Sequence, residues 1–399
     1  MPDIQQGSSP IPSKANHPNL PPKNNCYGCS SCEQACPKQC IAMQADDEGF
    51  LYPHVDGDAC IGCKRCEKAC PALSPLEDHR PLKTFAAMHT QLEIRRESSS
   101  GGVFTLLAEQ VLAKGGIVFA ARFDDQWQVV HAKAEKSEDL HYFRGSKYVQ
   151  SKIGTCYAEA LDCLKQGRKV MFVGTPCQIA GLHQFIAQRS NPRAEHLEKP
   201  YDLLTVDFIC HGVPSPAVWQ WYVDRQAASI ARKTLAGRFF YWRDKRSFVR
   251  QVEFRNKANG WKQFGMVFKT KGATYSQIHR QDAYMKAFLD NYSLRPSCYQ
   301  CKIKYGRSHS DITLADFWNV HRVTDQFDDD QGTSLVLVNT AKGLEHFEPL
   351  PCRKKEVAFD DAIQYNQAWA VPYAMNPNRD TFFQHYRDRL DDIVTQPRP

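Results

Sequence analysis

Two stretches of the chain, CYGCSSCEQACP at residues 26–37 and CIGCKRCEKACP at residues 60–71, repeat one cysteine spacing. Each reads C-x2-C-x2-C-x3-C-P. The first runs through Cys26, Cys29, Cys32, Cys36 and Pro37, the second through Cys60, Cys63, Cys66, Cys70 and Pro71. Three thiolates this close wrap one 4Fe–4S cubane, while the fourth, followed by a helix-breaking proline, ligates the cubane of the other run. The spacing predicts crossed ligation. One cluster takes Cys26, Cys29, Cys32 and Cys70, the other Cys60, Cys63, Cys66 and Cys36. Gly28 and Gly62 let the backbone pass close to the sulfides. Zinc usually takes C-x2-C pairs separated by a longer loop, which thiols grouped this tightly fit poorly. Cys40 reads as a spare thiol packed as a small hydrophobe.

The wider sequence supports this reading. There are 16 cysteines and no apolar leader of the export type, so metal ligation in a reducing cytoplasm is expected rather than disulfides. The 399 residues suggest two or three domains, and 42% hydrophobic with 24% charged residues suits a soluble globular protein. No apolar run approaches the roughly 18 residues of a membrane span. The net charge of +7 is mild and fits an acidic cofactor or partner.

Residues 1–20 read as a flexible polar leader and 21–82 as a small α+β ferredoxin-like domain that ends in the linker PALSPLEDHRPLK. From 83 to 345 strand and helix patterns alternate, in an N-terminal part (83–165) and a C-terminal part (166–345). TFAAMH, IVFAARF, KVMFV, LLTVDFI, ITLADFW and SLVLVNT read as strands. VFTLLAEQVLA, YAEALDCLKQG, QIAGLHQFIAQ and PAVWQWYVDRQAA read as helices. This alternation predicts an α/β core on a mixed, largely parallel sheet. Residues 235–275 read as β-hairpins, and their interleaved basic and aromatic residues as a solvated sheet face rather than a nucleic-acid surface. Residues 346–399 read as a helical tail.

Four of the remaining cysteines have a common address. Cys177 follows the strand KVMFV, and Cys210 ends the strand LLTVDFI. Sites in open α/β sheets form beyond the carboxyl ends of strands. Cys298 and Cys301 add a C-x2-C pair. Four thiolates at one sheet edge match a third 4Fe–4S cluster or a zinc ion. Elsewhere, the helix start SSSGG carries Ser100, Gly101 and Gly102, whose free N–H groups and dipole invite phosphate. RGSKYVQS supplies Arg144, Ser146 and Lys147 as further anion donors. A dinucleotide such as FAD would use both stretches.

Taken together, ESSSGGVFTLLAEQVL, RGSKYVQS, VGTPCQIAGL, DFICHGVPSP, RPSCYQCKIK and SDITLADFW resemble the beta subunit of coenzyme F420-reducing hydrogenase and its dehydrogenase relatives, over roughly residues 83–345. The resemblance implies FAD, a core cluster on Cys177, Cys210, Cys298 and Cys301, and a flavin site that includes Ser100, Gly101, Gly102, Lys147 and Gln150. It also implies hydride exchange with an organic acceptor, which in archaeal members is the deazaflavin coenzyme F420. The expected protein is therefore a cytoplasmic iron–sulfur flavoprotein oxidoreductase. It would take electrons from a redox donor such as ferredoxin or another redox subunit and serve a small-molecule hydride acceptor. The competing expectation is an electron-relay subunit with no substrate of its own.

Overall fold

The structure is a computed structural model that describes residues 17–189, 201–233, 235–243, 248–271 and 273–395. Most of the expected leader, residues 1–16, lies outside the described residues.

The duplicated spacing produces a duplicated backbone. Gly28 and Gly62 both take φ +65°, and Ser30 and Lys64 follow with left-handed φ of 60° and 58°. Each run then makes one short helical turn, α1 (Ser31–Ala35) and α2 (Arg65–Lys68). Between them lies an antiparallel hairpin of β1 (Ile41–Ala45) and β2 (Leu51–Val55), with Ile41 opposite Val55.

This unit is wedged into the rest of the chain. Ala35 and Ala69 are fully buried among Ile117, Phe119, Tyr157, Phe172 and Ile179. Ser31 Oγ donates to the Gly181 carbonyl at 2.9 Å. Arg379, from the end of the chain, pairs with Glu48, with one N–O separation of 2.8 Å.

The core continues through β3 (Lys83–His89), α3 (Leu92–Glu97), α4 (Val103–Ala113), β4 (Ile117–Phe123), β5 (Val129–Ala134), α5 (Cys156–Lys165), β6 (Val170–Val173), α6 (Pro176–Arg189) and β7 (Leu203–Phe208). Then come α7 (Pro216–Arg232), α8 (Leu235–Arg243), β8 (Val249–Asn256), β9 (Gly265–Thr270), β10 (Thr274–Ile278) and α9 (Ala283–Leu289). The last elements are β11 (Ile312–Asp316), β12 (Ser334–Val338), α10 (Ala341–Phe347), β13 (Cys352–Glu356), α11 (Phe359–Ile363) and α12 (Arg379–Thr395). No helix among the described residues is long and apolar enough to cross a membrane.

The main sheet has eight strands in the order β13-β3-β12-β11-β7-β6-β4-β5. It is mixed, as expected, with a parallel centre: β11, β7, β6 and β4 pair in parallel, and the flanking pairings β11–β12, β12–β3, β3–β13 and β4–β5 are antiparallel. The parallel centre is buried on both faces, which is why VMFV and LLTV show no polar alternation, Thr205 being buried with its neighbours. A second, three-stranded antiparallel sheet of β8, β9 and β10 packs on α7 and α9 around Trp219, Phe254, Phe268 and Tyr284.

Two expectations are corrected. The segment FFYWR is the helix α8, and strand structure begins only at Val249. Four consecutive apolar residues fit either period, and Tyr241 settles the matter by packing edge-on against Phe248 at 5.4 Å. The tail is not wholly helical, because CRKKE forms β13 on the outer side of β3. Its lysines suit an edge strand, where charge discourages pairing with another chain.

Candidate cluster and flavin sites

The chain brings the N-terminal thiols together in the crossed pattern. Burial pushes the Cys29 thiol up, and Cys70 and Cys32 add to it; Cys32 is likewise raised by burial and then by Cys26 and Cys70. Burial raises Cys66 to about 11, with Cys36 and Cys63 contributing. The fourth cysteine of each run therefore sits with the other run's first three. Cys36, Cys60, Cys63 and Cys66 line one pocket together with Cys40, whose sulfur lies 3.4 Å from that of Cys36. Cys40 is buried, as expected of a packed thiol, yet it forms part of the pocket wall.

The core thiols also meet. Cys177 lies in the first turn of α6, just beyond β6, and Cys210 lies two residues beyond β7, its parallel neighbour. Cys298 and Cys301 come from a 3-10 turn and its end, Pro296–Gln300 and the residue after it. All four line one pocket of about 670 Å³, counted to its open mouth. Burial raises Cys177 to about 12, helped by Cys301 and Cys210, and raises Cys210 to about 11. Four thiolates cannot share this space unless a cationic group offsets their repulsion and their desolvation. Among the described residues no three His, Cys, Asp or Glu side chains close on a single ion. The four thiols line the wall of one shared pocket.

Protein charge helps. Lys304 is buried, donates to the Cys210 and Ala368 carbonyls at 2.8 and 2.6 Å, and lowers the thiol pKa of both Cys210 and Cys301. The Val213 N–H and the Thr175 hydroxyl reach the sulfurs of Cys298 and Cys177 at 3.5 and 3.2 Å.

Two contacts join the first N-terminal group to the core group. Tyr27 lines the core pocket, and its phenol is raised by burial, by Cys301 and Cys177, and by Cys70. One turn beyond Cys177, a Cβ on Gly181 would lie 3.0 Å from the Cys29 sulfur. Helix α6 therefore touches both groups.

The flavin residues divide. Ser100, Gly101 and Gly102 form a loop before α4, and Gly102 takes φ +86°. Ser146 Oγ lies 2.7 Å from Ser99 Oγ. Arg144 reaches Thr105 Oγ1 in the first turn of α4 at 3.2 Å and pairs with Glu97 at 2.7 Å. Lys147 is turned inward. Its Nζ donates to the carbonyls of Phe143, Arg144 and Gly145 at 3.2, 3.0 and 3.1 Å, and burial pushes its pKa down to about 7. Gln150 lies elsewhere: its amide donates to the Tyr27 carbonyl and accepts from Arg295, both at 2.9 Å.

His89 joins the loop group. It is 4% exposed at the end of β3, beside Gly102. Its Nδ1 accepts from the Gln91 N–H at 2.9 Å, which puts the ring proton on Nε2. Nε2 is buried and has no partner among the described residues. A buried donor without an acceptor points to a missing anionic or carbonyl oxygen.

Family models match the chain in three places. The coenzyme F420 hydrogenase/dehydrogenase beta subunit N-terminal model matches residues 84–156, and its C-terminal model matches 167–357. The chain belongs to this family. A 4Fe–4S dicluster domain model matches residues 25–73. Within the family segments, the N-terminal model spans His89, the SSSGG loop and RGSKYVQS, and the C-terminal model spans all four core cysteines. Among solved structures, the F420-reducing NiFe hydrogenase complex from Methanosarcina barkeri, in a xenon-derivatised form, contains a similar chain. It is 19% identical, the match covers 79% of this chain and 90% of that one, and the TM-score is 0.46. A comparison with curated proteins returned no match.

Sequence reasoning missed Tyr27, His89, Arg295 and Lys304. Their neighbours in the motifs were visible. The residues themselves carry no period or spacing that separates a buried polar group from a surface one.

Proposed function

We propose that this protein is an iron–sulfur flavoprotein oxidoreductase. On this reading it holds two ferredoxin-type 4Fe–4S clusters, a third cluster on Cys177, Cys210, Cys298 and Cys301, and FAD at the loop before α4. The observation that carries the reading is the core pocket. Four half-buried thiols converge there, and Tyr27 reaches into it from the N-terminal unit. A zinc site would give Tyr27 no reason to stand between two thiol groups.

The residues fit the groups they would hold. Lys304 and Arg295 are buried cations placed against thiol groups that would otherwise be uncompensated anions. At the loop, the first turn of α4, Arg144 and the free His89 Nε2 donor suit a pyrophosphate. Bound flavin supplies the exchange between one-electron and two-electron chemistry. The chain keeps the thiol groups close along α6, excludes water from them by burial, and holds the His89 proton on Nε2.

Clusters held by Cys36, Cys60, Cys63 and Cys66, by Cys26, Cys29, Cys32 and Cys70, and by the four core cysteines would supply one-electron carriers, with Tyr27 and Gly181 at the junction of the last two groups. The exposure of Cys63 suits entry of electrons from a ferredoxin-class donor or a partner redox subunit. The organic acceptor is a deazaflavin of the coenzyme F420 class or another hydride acceptor.

The test uses the full chain purified without oxygen. Iron should approach about twelve per chain, with one flavin. Cys177→Ser should remove about four irons and leave both N-terminal clusters. A colourless protein with zinc in the core pocket would end this reading. Clusters and flavin without turnover of any deazaflavin, pyridine nucleotide or double-bond acceptor would favour the relay subunit.

A further inference from the structure

Arg295 is fully buried, and its surroundings are unusual for a guanidinium. Nε donates to the Cys26 carbonyl at 2.7 Å, Nη1 to Gln150 Oε1 at 2.9 Å, and Nη2 to the Leu51 carbonyl at 2.9 Å. The plane lies over Tyr52 at 4.2 Å and Phe50 at 5.4 Å. Every hydrogen-bond acceptor is neutral. Among the described residues no carboxylate pairs with it, whereas the other buried arginines, Arg95, Arg255 and Arg379, each have one. A buried charge without a counter-charge is strongly unfavourable, so a fold that keeps one supplies an anion by other means.

The anions available are the thiol groups themselves. Arg295 reaches the backbone of Cys26 in the first group and lines the pocket of the core group together with Cys177, Cys210, Cys298 and Cys301. Its site is also protected from substitution nearby. A Cβ on Gly28 would come within 2.6 Å of Nη1, and Gly28 already sits at φ +65°. Gln150, which the family resemblance placed at the flavin, here holds the guanidinium against the Tyr27 backbone.

We propose that Arg295 is a positioning residue, a counter-cation shared by the cluster on Cys26, Cys29, Cys32 and Cys70 and the cluster in the core pocket, which stabilises the added negative charge as an electron crosses between them. The proposal rests on the cluster reading above. A cubane held by four thiolates is an anion, and each reduction makes it more negative. A fixed cation beside it raises its reduction potential. Arg295 stands near two of the three groups, and no contact ties it to the pocket of Cys36, Cys60, Cys63 and Cys66. That third cluster is the internal reference.

The experiment compares wild type, Arg295→Gln and Arg295→Lys, each as the full chain purified without oxygen. Iron content and low-temperature electron paramagnetic resonance during a redox titration are read for each. Wild-type iron near four per chain or less would overturn the cluster reading itself, before any variant is considered. With clusters present, Arg295→Gln should lower two of the three potentials by at least a tenfold shift in the reduction equilibrium, about 59 mV for one electron, and leave the third in place. Arg295→Lys keeps the charge and should return both potentials most of the way. If Arg295→Gln loses iron while Arg295→Lys retains it with near-native potentials, the charge requirement is again supported. Full iron with unmoved potentials in Arg295→Gln would overturn the proposal. So would equal iron loss in both variants, because the residue would then be a structural clamp.

Discussion

Gly101→Ala should damage the protein more than Gly102→Ala, although only Gly102 has a positive φ. A Cβ on Gly101 would lie 2.4 Å from the Ala87 carbonyl, 2.7 Å from the Ser334 N and 2.9 Å from Ser334 Oγ. The first two are backbone atoms of β3 and β12, which pair with each other, so neither can move alone. The loop must move instead. It is tied by the Gly101 N–H to Ser334 Oγ at 3.0 Å and by the His89 N–H to the Gly101 carbonyl at 2.7 Å. Losing two buried hydrogen bonds costs about 1–3 kcal/mol each, and residual crowding adds about 1–3 kcal/mol. The expected loss for Gly101→Ala is about 3–5 kcal/mol, summed at the lower end of those ranges. For Gly102→Ala the left-handed backbone costs about 1–2 kcal/mol. Its new Cβ meets the His89 Cβ at 3.1 Å, a side-chain atom that can yield slightly. Anaerobic urea denaturation of the cluster-loaded full chains, followed by tryptophan fluorescence, gives the ranking. Equal stabilities, or Gly102→Ala as the weaker protein, would refute the claim that the approach of β3 and β12, rather than backbone conformation, fixes this loop.

Cys70→Ala should disturb the cluster on Cys26, Cys29 and Cys32 and spare the one on Cys60, Cys63 and Cys66, as read by paired magnetic-resonance spectra; the opposite result would mean uncrossed ligation. His89→Ala should weaken flavin retention about tenfold, or roughly 1.4 kcal/mol for one charge-assisted hydrogen bond, with iron content unchanged when both are assayed on one sample. Buried His131 has its pKa lowered to about 4 by burial, against an ordinary value of 6.5. The unfolded chain therefore binds more protons between those limits, so stability should fall as pH drops from 6.5 toward 4. His131→Gln should flatten the slope of denaturation free energy against pH over that window.

Much of the candidate site was legible because cysteine spacing is a direct record of ligand geometry. The two runs needed no tertiary information. The core thiols needed only the inference that KVMFV and LLTVDFI end side by side, which their parallel pairing provides. The sheet's parallel centre was legible for the same reason, whereas its antiparallel flanks depend on which strands later return to the edge. CRKKE reads as part of the helical tail until β3 offers it a strand partner. Gln150 shows a different limit. Its motif reads as one block with Lys147, but the chain between them turns, so neighbours in sequence serve different sites. Arg295 lies next to a ligand motif in plain view, yet nothing local says that a guanidinium there will be sealed from water.

The wedge made by the N-terminal unit sets a clock for synthesis. Ser31 meets its partner Gly181 150 positions later in the chain, and translation at roughly 5–20 residues per second puts about 8–30 s between their appearances. From Cys70 onward in that interval the thiols of both runs are made but have no complete α5 or α6 to close over them. The delay leaves a window in which cluster-delivery machinery can reach sulfurs such as Cys29 and Cys32 that the finished fold buries. Once α6 is complete, its first turn supplies Cys177 and its second presses Gly181 on Cys29, so closing the unit also places the first core thiol, while Cys210, Cys298 and Cys301 follow later in the chain. A chain that misses its iron during the wait folds around thiols left without their metal. Iron supply should therefore govern how much of this protein survives quality control, independently of how stable the loaded form is.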